Sequence, residues 1–531
     1  MKQRFTRREV LQSAAAAGLS GASGLALAAP QNDPEYARMP STEEIFEWVE
    51  TLWRFGDRDT YRYRMPGTQS DHQAAEFLEQ KFREFGLRDV RRERVSIPIM
   101  FPNRWTVTVS ARGKSEEIPC WFLPYSAPTP REGITGELVY VGQGSKEEFQ
   151  AKAARVAGNI VVVDMVSKGI PMNDGKPPIR DTKTAASYFV YDPNHTLAGD
   201  MYSETSPVNN QESSIALAHR FGAVGYIGIL TYRAKDVCQQ YHGSKDSNGV
   251  MSCLTVSPSS GTRIKELLAG GPVEATLVLT EDPGKPIDAA VSATRTVEGP
   301  GGRLAIVSST YGNWGFTYNI YGVLPGASDE VVVVLSHHDG GATNEASGAS
   351  VVLALAKYFA QSPAQARRKT LLFVLFGSHF GLRPPLLDQA HGIAAVKDRI
   401  ACALSIEHIG RQYKLRDGKY VSTGLPSPTM FGVRNGNPKL VSFVREAIEQ
   451  HKLDRSFISN FMLGEAGVIA TQGGVANVVE HSSLNAPQFS LEDRPETVDK
   501  EALRPTACVF ADIIGRLDPI TARELGHSPQ G

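Results

Sequence analysis

Four apolar runs, Val331 to Leu335, Thr370 to Phe376, Ala401 to Ile406 and Val475 to Val479, punctuate the stretch from Thr317 to about Asp518. Helical patterns lie between them, among them Ser350 to Ala360 and Leu440 to His451. Short apolar strands alternating with helices predict an α/β fold: a mostly parallel sheet flanked by helices on both faces. No internal repeat competes with that reading.

In open parallel sheets, ligands gather just beyond the carboxyl ends of the strands. The residues just past each run are therefore informative: Ser336-His337-His338-Asp339, then Gly377-Ser378-His379, then Glu407-His408, then Glu480-His481. Five of the 12 histidines fall at these four places, which scatter over 531 positions would rarely produce. Singly, each is as well read as a hydrogen-bonded loop histidine; together they point to one site. Imidazole and carboxylate suit zinc, manganese, iron or cobalt, and spacing does not choose among them. Ser378-His379 as part of a serine hydrolase is the least favoured reading, because adjacent residues rarely reach the geometry of a nucleophile and its base.

The rest of the chain is modular. Lys plus Arg (56) nearly balance Asp plus Glu (57), leaving a net charge of -1 that offers no field for nucleic acid or an anionic membrane. Residues 1–29 read as a twin-arginine signal peptide: Thr6-Arg7-Arg8-Glu9-Val10-Leu11-Gln12, a weakly apolar Ser13 to Ala29, and a small-residue cleavage site at Ala26-Leu27-Ala28. That stretch falls short of the ~20 apolar residues a membrane span needs, so export to the periplasm or beyond is expected, with no span. Residues 40–130 carry helical patterns at Ser41 to Arg54 and Ser70 to Phe85, the second with Ser70 as N-cap, and then a strand at Val90 to Pro98. Short strands and turns fill 131–285, with Glu137 to Val141, Asn159 to Asp164, a helix from Glu212 to Phe221, and Tyr226 to Leu230. Lys168 to Asn210 is a polar insertion, either a loop over the site or a solvated excursion. The five cysteines show no CxxC spacing; Cys238 and Cys253 are candidates to pair, whereas Cys402 and Cys508 read as buried thiols.

Specific residues carry two resemblances. Gly136 to Gly142, Gly158 to Val163, the Ala218 to Gly225 run and Val256 to Leu268 resemble a protease-associated domain. Tyr318 to Gly326, then Val331 to Asp339, then Gly341-Ala342-Thr343-Asn344-Glu345-Ala346-Ser347-Gly348 resemble the zinc aminopeptidase and glutamate carboxypeptidase II-like metallopeptidases. The resemblance spans nearly the whole mature chain: it implies that 40–130 is the N-terminal part of the catalytic domain, 131–285 a protease-associated domain with its insertion, and 286–520 the metallopeptidase-like catalytic domain itself. It implies a divalent metal, zinc first, as one or two ions, and a peptide or small amide as substrate.

The same resemblance implies roles residue by residue. His337 matches a metal ligand and Asp339 the carboxylate that orients it; His338, pointing the other way along an extended chain, is expected to be structural. Asn344 stands where the family has an aspartate bridging two ions, and Glu345 beside it is a carboxylate that can take over. Ser378 occupies the position of the family's general base and His379 that of a ligand. Glu407 replaces a ligand aspartate. The last family histidine is missing near Phe489, and His481 is the substitute at hand.

The expected metal set is thus His337, Asn344, His379, Glu407 and His481, with Glu345 or Glu480 as base and Asp339 in support. Arg411, Arg434 and Glu465 are candidates for substrate carboxylate or amino groups, although exposed arginines also simply solvate loops and Glu465 also fits a helix cap. Four readings stand: a two-zinc peptidase in which every replacement is compensated, a metallohydrolase with an altered site, a non-catalytic binding protein on a peptidase fold, and the fold turned to a different metal-dependent reaction.

Overall fold

The computed structural model describes residues 36–526, apart from 168–169, 172–188, 204–212, 242–248, 282–295, 300–301, 306–313, 381–390, 461, 463 and 472. The signal region at 1–29 lies outside the described residues.

A nine-stranded sheet forms the larger layer, in the order Arg88–Pro98, Trp314–Leu324, Thr370–Phe376, Val331–His337, Ile400–Ile406, Val478–Ser483, Thr429–Val433, Ser456–Ser459 and Phe189–Tyr191. Its centre is parallel, with the Val331 strand between the Thr370 and Ile400 strands and Val478–Ser483 beyond. Central strands are apolar throughout because both faces are covered. Val332 and Val334 enter a core shared with the helices Thr42–Asp57, Gln69–Glu84, Ser347–Ala360, Pro438–His451 and Lys500–Leu517, whereas Val331, Val333 and Leu335 face the opposite layer. The sequence pattern anticipates this arrangement of strands and helices.

Local differences have local causes. The second helix is capped by Thr68, whose hydroxyl accepts from the Asp71 N–H; Ser70 lies inside the helix, 2.9 Å from the Thr68 hydroxyl. The last parallel strand starts at Val478 and runs to Ser483, so Glu480 and His481 sit within it rather than past its end.

A second sheet of eight strands runs in the order Lys114–Ile118, Pro102–Ala111, Glu274–Glu281, Ile134–Tyr140, Ile160–Met165, Gly225–Leu230, Ser252–Val256 and Cys120–Phe122. Three of these strands precede residue 131 in the chain. Cys238 packs in the core on one side of this sheet and Cys253 in the core on the other, so the two are not a disulfide pair; all five cysteines are free thiols. Most of the Lys168 to Asn210 insertion lies outside the described residues; the part from 189 to 203 packs on the large sheet. Its Phe189–Tyr191 segment adds an edge strand to the large sheet beside Ser456–Ser459, and Asp200 accepts from Arg455, from Gln412 at 3.1 Å and from Lys414 at 2.8 Å.

Candidate metal centre

Side chains two apart along a strand share a face. His337 therefore projects on the side of Val333 and Leu335, and the register carries this face across the sheet: Leu335 pairs with Ser405, and Ser405 with Glu480. Glu407, two residues after Ser405, comes level with His337. The helix Gly464–Thr471 covers this face and sets Glu465 in its first turn against it.

His337 is held as the resemblance implies. Its Nδ1 lies 3.3 Å from Asp339 Oδ1, and the Phe380 N–H donates to Asp339 Oδ2 at 2.7 Å. Burial pushes the Asp339 carboxyl up, but the hydrogen bond and charge of His337 outweigh burial and hold it below the usual range. With Nδ1 engaged, His337 Nε2 points inward, buried and without a hydrogen-bond partner among the described residues, 4.0 Å from Glu407 Oε2.

His408 arrives from the next strand end through a left-handed backbone, φ 45°. Its Nδ1 is 3.1 Å from the Ser482 hydroxyl, and its Nε2 is buried without a hydrogen-bond partner among the described residues, 3.9 Å from the same Glu407 oxygen. Burial, then the neighbouring His337 and His379, push this imidazole well below its ordinary range.

Glu345 comes from a π-helical turn, Ala342–Ala346, that opens the Ser347 helix; such turns recur at functional sites. Its Oε2 accepts from the Gly341 N–H at 2.5 Å, while Oε1 is buried with no hydrogen-bond partner among the described residues. Burial and the charge of Asp493 push the carboxyl well up against the opposing pull of Arg64.

Two further carboxylates complete the cluster. Glu407 Oε1 accepts from the Ser405 hydroxyl at 3.0 Å. Burial first, then the charges of Glu465 and Glu480, drive Glu407 well above the carboxylate range, and it also shares a hydrogen bond with Glu465. Glu465 Oε1 in turn lies 2.5 Å from His379 Nδ1. Two triads place one ligand atom from each residue within 4.8 Å of the others: His337, Glu345 and His408, and His337, His379 and Glu465, all buried.

These residues fit a divalent ion. Imidazole nitrogen with carboxylate oxygen is a donor set that zinc accepts in sites with three protein ligands. A buried polar atom left unpaired costs roughly 1–3 kcal/mol, and His337, His408 and Glu345 each carry one.

Other expectations change. His481 turns to the opposite face of its strand from Glu480, packs edge-on to Phe431 and Phe510, and hydrogen-bonds through Nδ1 to the Glu407 carbonyl at 2.8 Å. It is a core histidine, not a ligand. Glu480 is buried beside Glu407 as a neighbouring charge. Asn344 lies in the π turn, and its side chain is outside the described residues. Ser378 is buried next to His379. Arg434 donates to the Ala470 and Val475 carbonyls and is structural; Arg411 is 3.9 Å from Asp499. Phe489, where the family histidine is missing, packs on Tyr241 and Phe380. His338, as expected, is structural, with Nε2 3.0 Å from the Tyr318 carbonyl and Nδ1 3.4 Å from Asp71. His408 is a site residue that sequence reasoning does not single out as a ligand; its one signal is its place next to Glu407 at a strand end.

The strand-end cluster on a helix-flanked parallel sheet, with a second sheet alongside, defines a metallopeptidase-like α/β fold. Residues 319–382 match the family model described as Peptidase family M28. Among solved structures, a peptidase M28 precursor from Shewanella amazonensis SB2B aligns with a TM-score of 0.63 at 16% identity, over 91% of this chain and 95% of that one. The zinc aminopeptidase BSAP from Bacillus subtilis aligns at 0.57 and 16%, over 90% and 95%. An aminopeptidase from Aneurinibacillus sp. strain AM-1 aligns at 0.53 and 15%, over 92% and 95%. At these identities the likeness establishes the fold, that of the M28 metallopeptidases.

Proposed function

We propose that this chain is an exported metal-dependent hydrolase that cleaves a peptide or other amide bond. The observation that carries the reading is the buried gathering of His337, His379 and His408 with Glu345, Glu407 and Glu465 at the carboxyl ends of adjacent parallel strands. The M28 match and the aminopeptidase neighbours support hydrolysis as the reaction class.

The imidazoles and carboxylates gathered around His337 would hold a divalent ion, zinc first, which would lower the pKa of bound water to ~7 and polarise a carbonyl. The chain's own residues do the rest. Asp339 fixes the His337 ring. Ser378 offers no base at ordinary pH, so proton handling falls to the groups nearby: the His379 imidazole, oriented by Glu465 at 2.5 Å, and the Glu480 carboxylate. A protease-associated identity for the second sheet and twin-arginine export rest on sequence alone. No helix among the described residues is long and apolar enough to cross a membrane.

Metal analysis of the purified mature protein, with a panel of aminoacyl and N-blocked amide substrates, tests the activity. Wild type should carry metal and turn over at least one amide, and His337→Ala should do neither. A wild type with no metal and no turnover, indifferent to His337→Ala, would instead be a binding protein on this fold. For export, replacing Arg7 and Arg8 by Lys should leave unprocessed precursor in the cytoplasm; unchanged export would remove that part of the reading.

A further inference from the structure

Of the two triads around His337, distance alone does not decide which holds the ion, and ring orientation does. An imidazole binds a metal along a lone pair that lies in the ring plane, at ~2.0–2.1 Å for zinc. His379 lies over His337 with ring centres 3.9 Å apart and planes 10° from parallel. Nearly parallel planes stacked in this way meet only far from both rings, so no single position is in plane and within bonding distance of both. His379 Nδ1 is moreover taken up by Glu465 at 2.5 Å.

His408 stands differently. Its ring is 6.0 Å from that of His337 with planes at 89°, so both lone pairs can converge on one point between the rings. Both Nε2 atoms are the buried ones that lack a hydrogen-bond partner among the described residues, as is Glu345 Oε1. Both also lie about equally far from one oxygen of Glu407, at 4.0 and 3.9 Å.

We infer that the metal is held by His337, His408 and Glu345, with Glu407 facing it, and that His379, although it stands where the family pattern puts a ligand, is beside the ion and not bound to it. One His337 Nε2 serves one ion, so the set binds a single metal. This rests on the metal reading above and deepens it: it names the ligands that replace the family's own.

The test uses the purified mature chain loaded with cobalt(II) or zinc(II), and reads metal stoichiometry, affinity and the number of coordinated imidazoles by X-ray absorption. Wild type should bind one ion through two imidazoles. His379→Ala should keep one ion, two imidazoles and an affinity within about threefold. His408→Asn, chosen because asparagine tolerates the left-handed backbone, and Glu345→Ala should each weaken binding by at least about 100-fold, with one imidazole left in the first. If those two variants do not fold, the imidazole count in wild type and His379→Ala still decides. Loss of an imidazole or of the metal in His379→Ala overturns the assignment in favour of His337, His379 and Glu465, while the metal reading stands. A wild type that takes up no metal overturns the metal reading, and this assignment with it.

Discussion

The imidazole of His379 rests flat on that of His337, centre to centre 3.9 Å, while its Nδ1 meets the buried carboxylate of Glu465 at 2.5 Å. A ring pinned on one face and oriented at one nitrogen is suited to moving a proton at the other. His379→Ala should therefore lower turnover by ~10²–10⁴-fold, the usual worth of a positioned acid or base, with KM little changed. Steady-state kinetics on a preparation shown to retain its metal checks this; unchanged turnover would leave the pair with a structural role only.

Gly464 has a left-handed φ of 54°, and a Cβ there would stand 2.5 Å from Glu407 Oε1. Gly474 shares the conformation, φ 65°, with nothing within 4 Å. Both Gly→Ala variants incur the left-handed penalty of ~1–2 kcal/mol, but only Gly464→Ala also displaces the Glu407 carboxylate. Denaturant melts should show Gly464→Ala as the less stable of the two, and metal titration should show weaker binding in it alone. Equal behaviour would mean that Glu407 moves aside freely.

Arg64 is fully buried and donates to three carbonyls: His338 at 2.6 Å, Gly341 at 2.7 Å and Leu52 at 2.8 Å. It thereby ties the helix Thr42–Asp57 to the turn between His337 and Glu345. Lysine cannot span the three acceptors, and a hydrogen bond from a charged group is worth ~1.5–3 kcal/mol. Arg64→Lys should cost about 3 kcal/mol or more in unfolding experiments and weaken metal affinity about tenfold, as loss of an orienting partner does. A variant as stable as wild type would show that the turn holds itself.

The sheet is legible in the sequence because burial on both faces leaves uninterrupted apolar runs, and His337, Asp339 and Glu407 are legible because they sit at strand ends in register. His481 misleads for a reason of period: it lies one residue from Glu480, and alternation sends neighbours to opposite faces, a distinction hidden when the apolar run alone, ending at Val479, marks the strand. Glu465 joins His379 across 86 residues, and nothing local in Gly464-Glu465-Ala466 announces that contact. His408 depends on a left-handed φ, which the sequence does not mark in a histidine. Ring orientation, which separates the two triads, has no sequence signature.

The sequence pattern offers His481 as a metal ligand, whereas the structure packs it in the core. Burial against Phe431 and Phe510 pushes its imidazole from the ordinary 6.5 down to about 4. In the unfolded chain it regains the ordinary value, so between these two values the unfolded state binds the additional proton. Its contribution is therefore fully present above about pH 6.5 and is lost as pH falls toward 4. At ~1.36 kcal/mol for each pH step, the total is on the order of 3 kcal/mol. His481→Gln, neutral at every pH, should flatten that part of the acid limb in a stability-versus-pH series while leaving the limb above about pH 7 parallel to wild type. Superimposable acid limbs would mean that this imidazole is protonated in the folded protein.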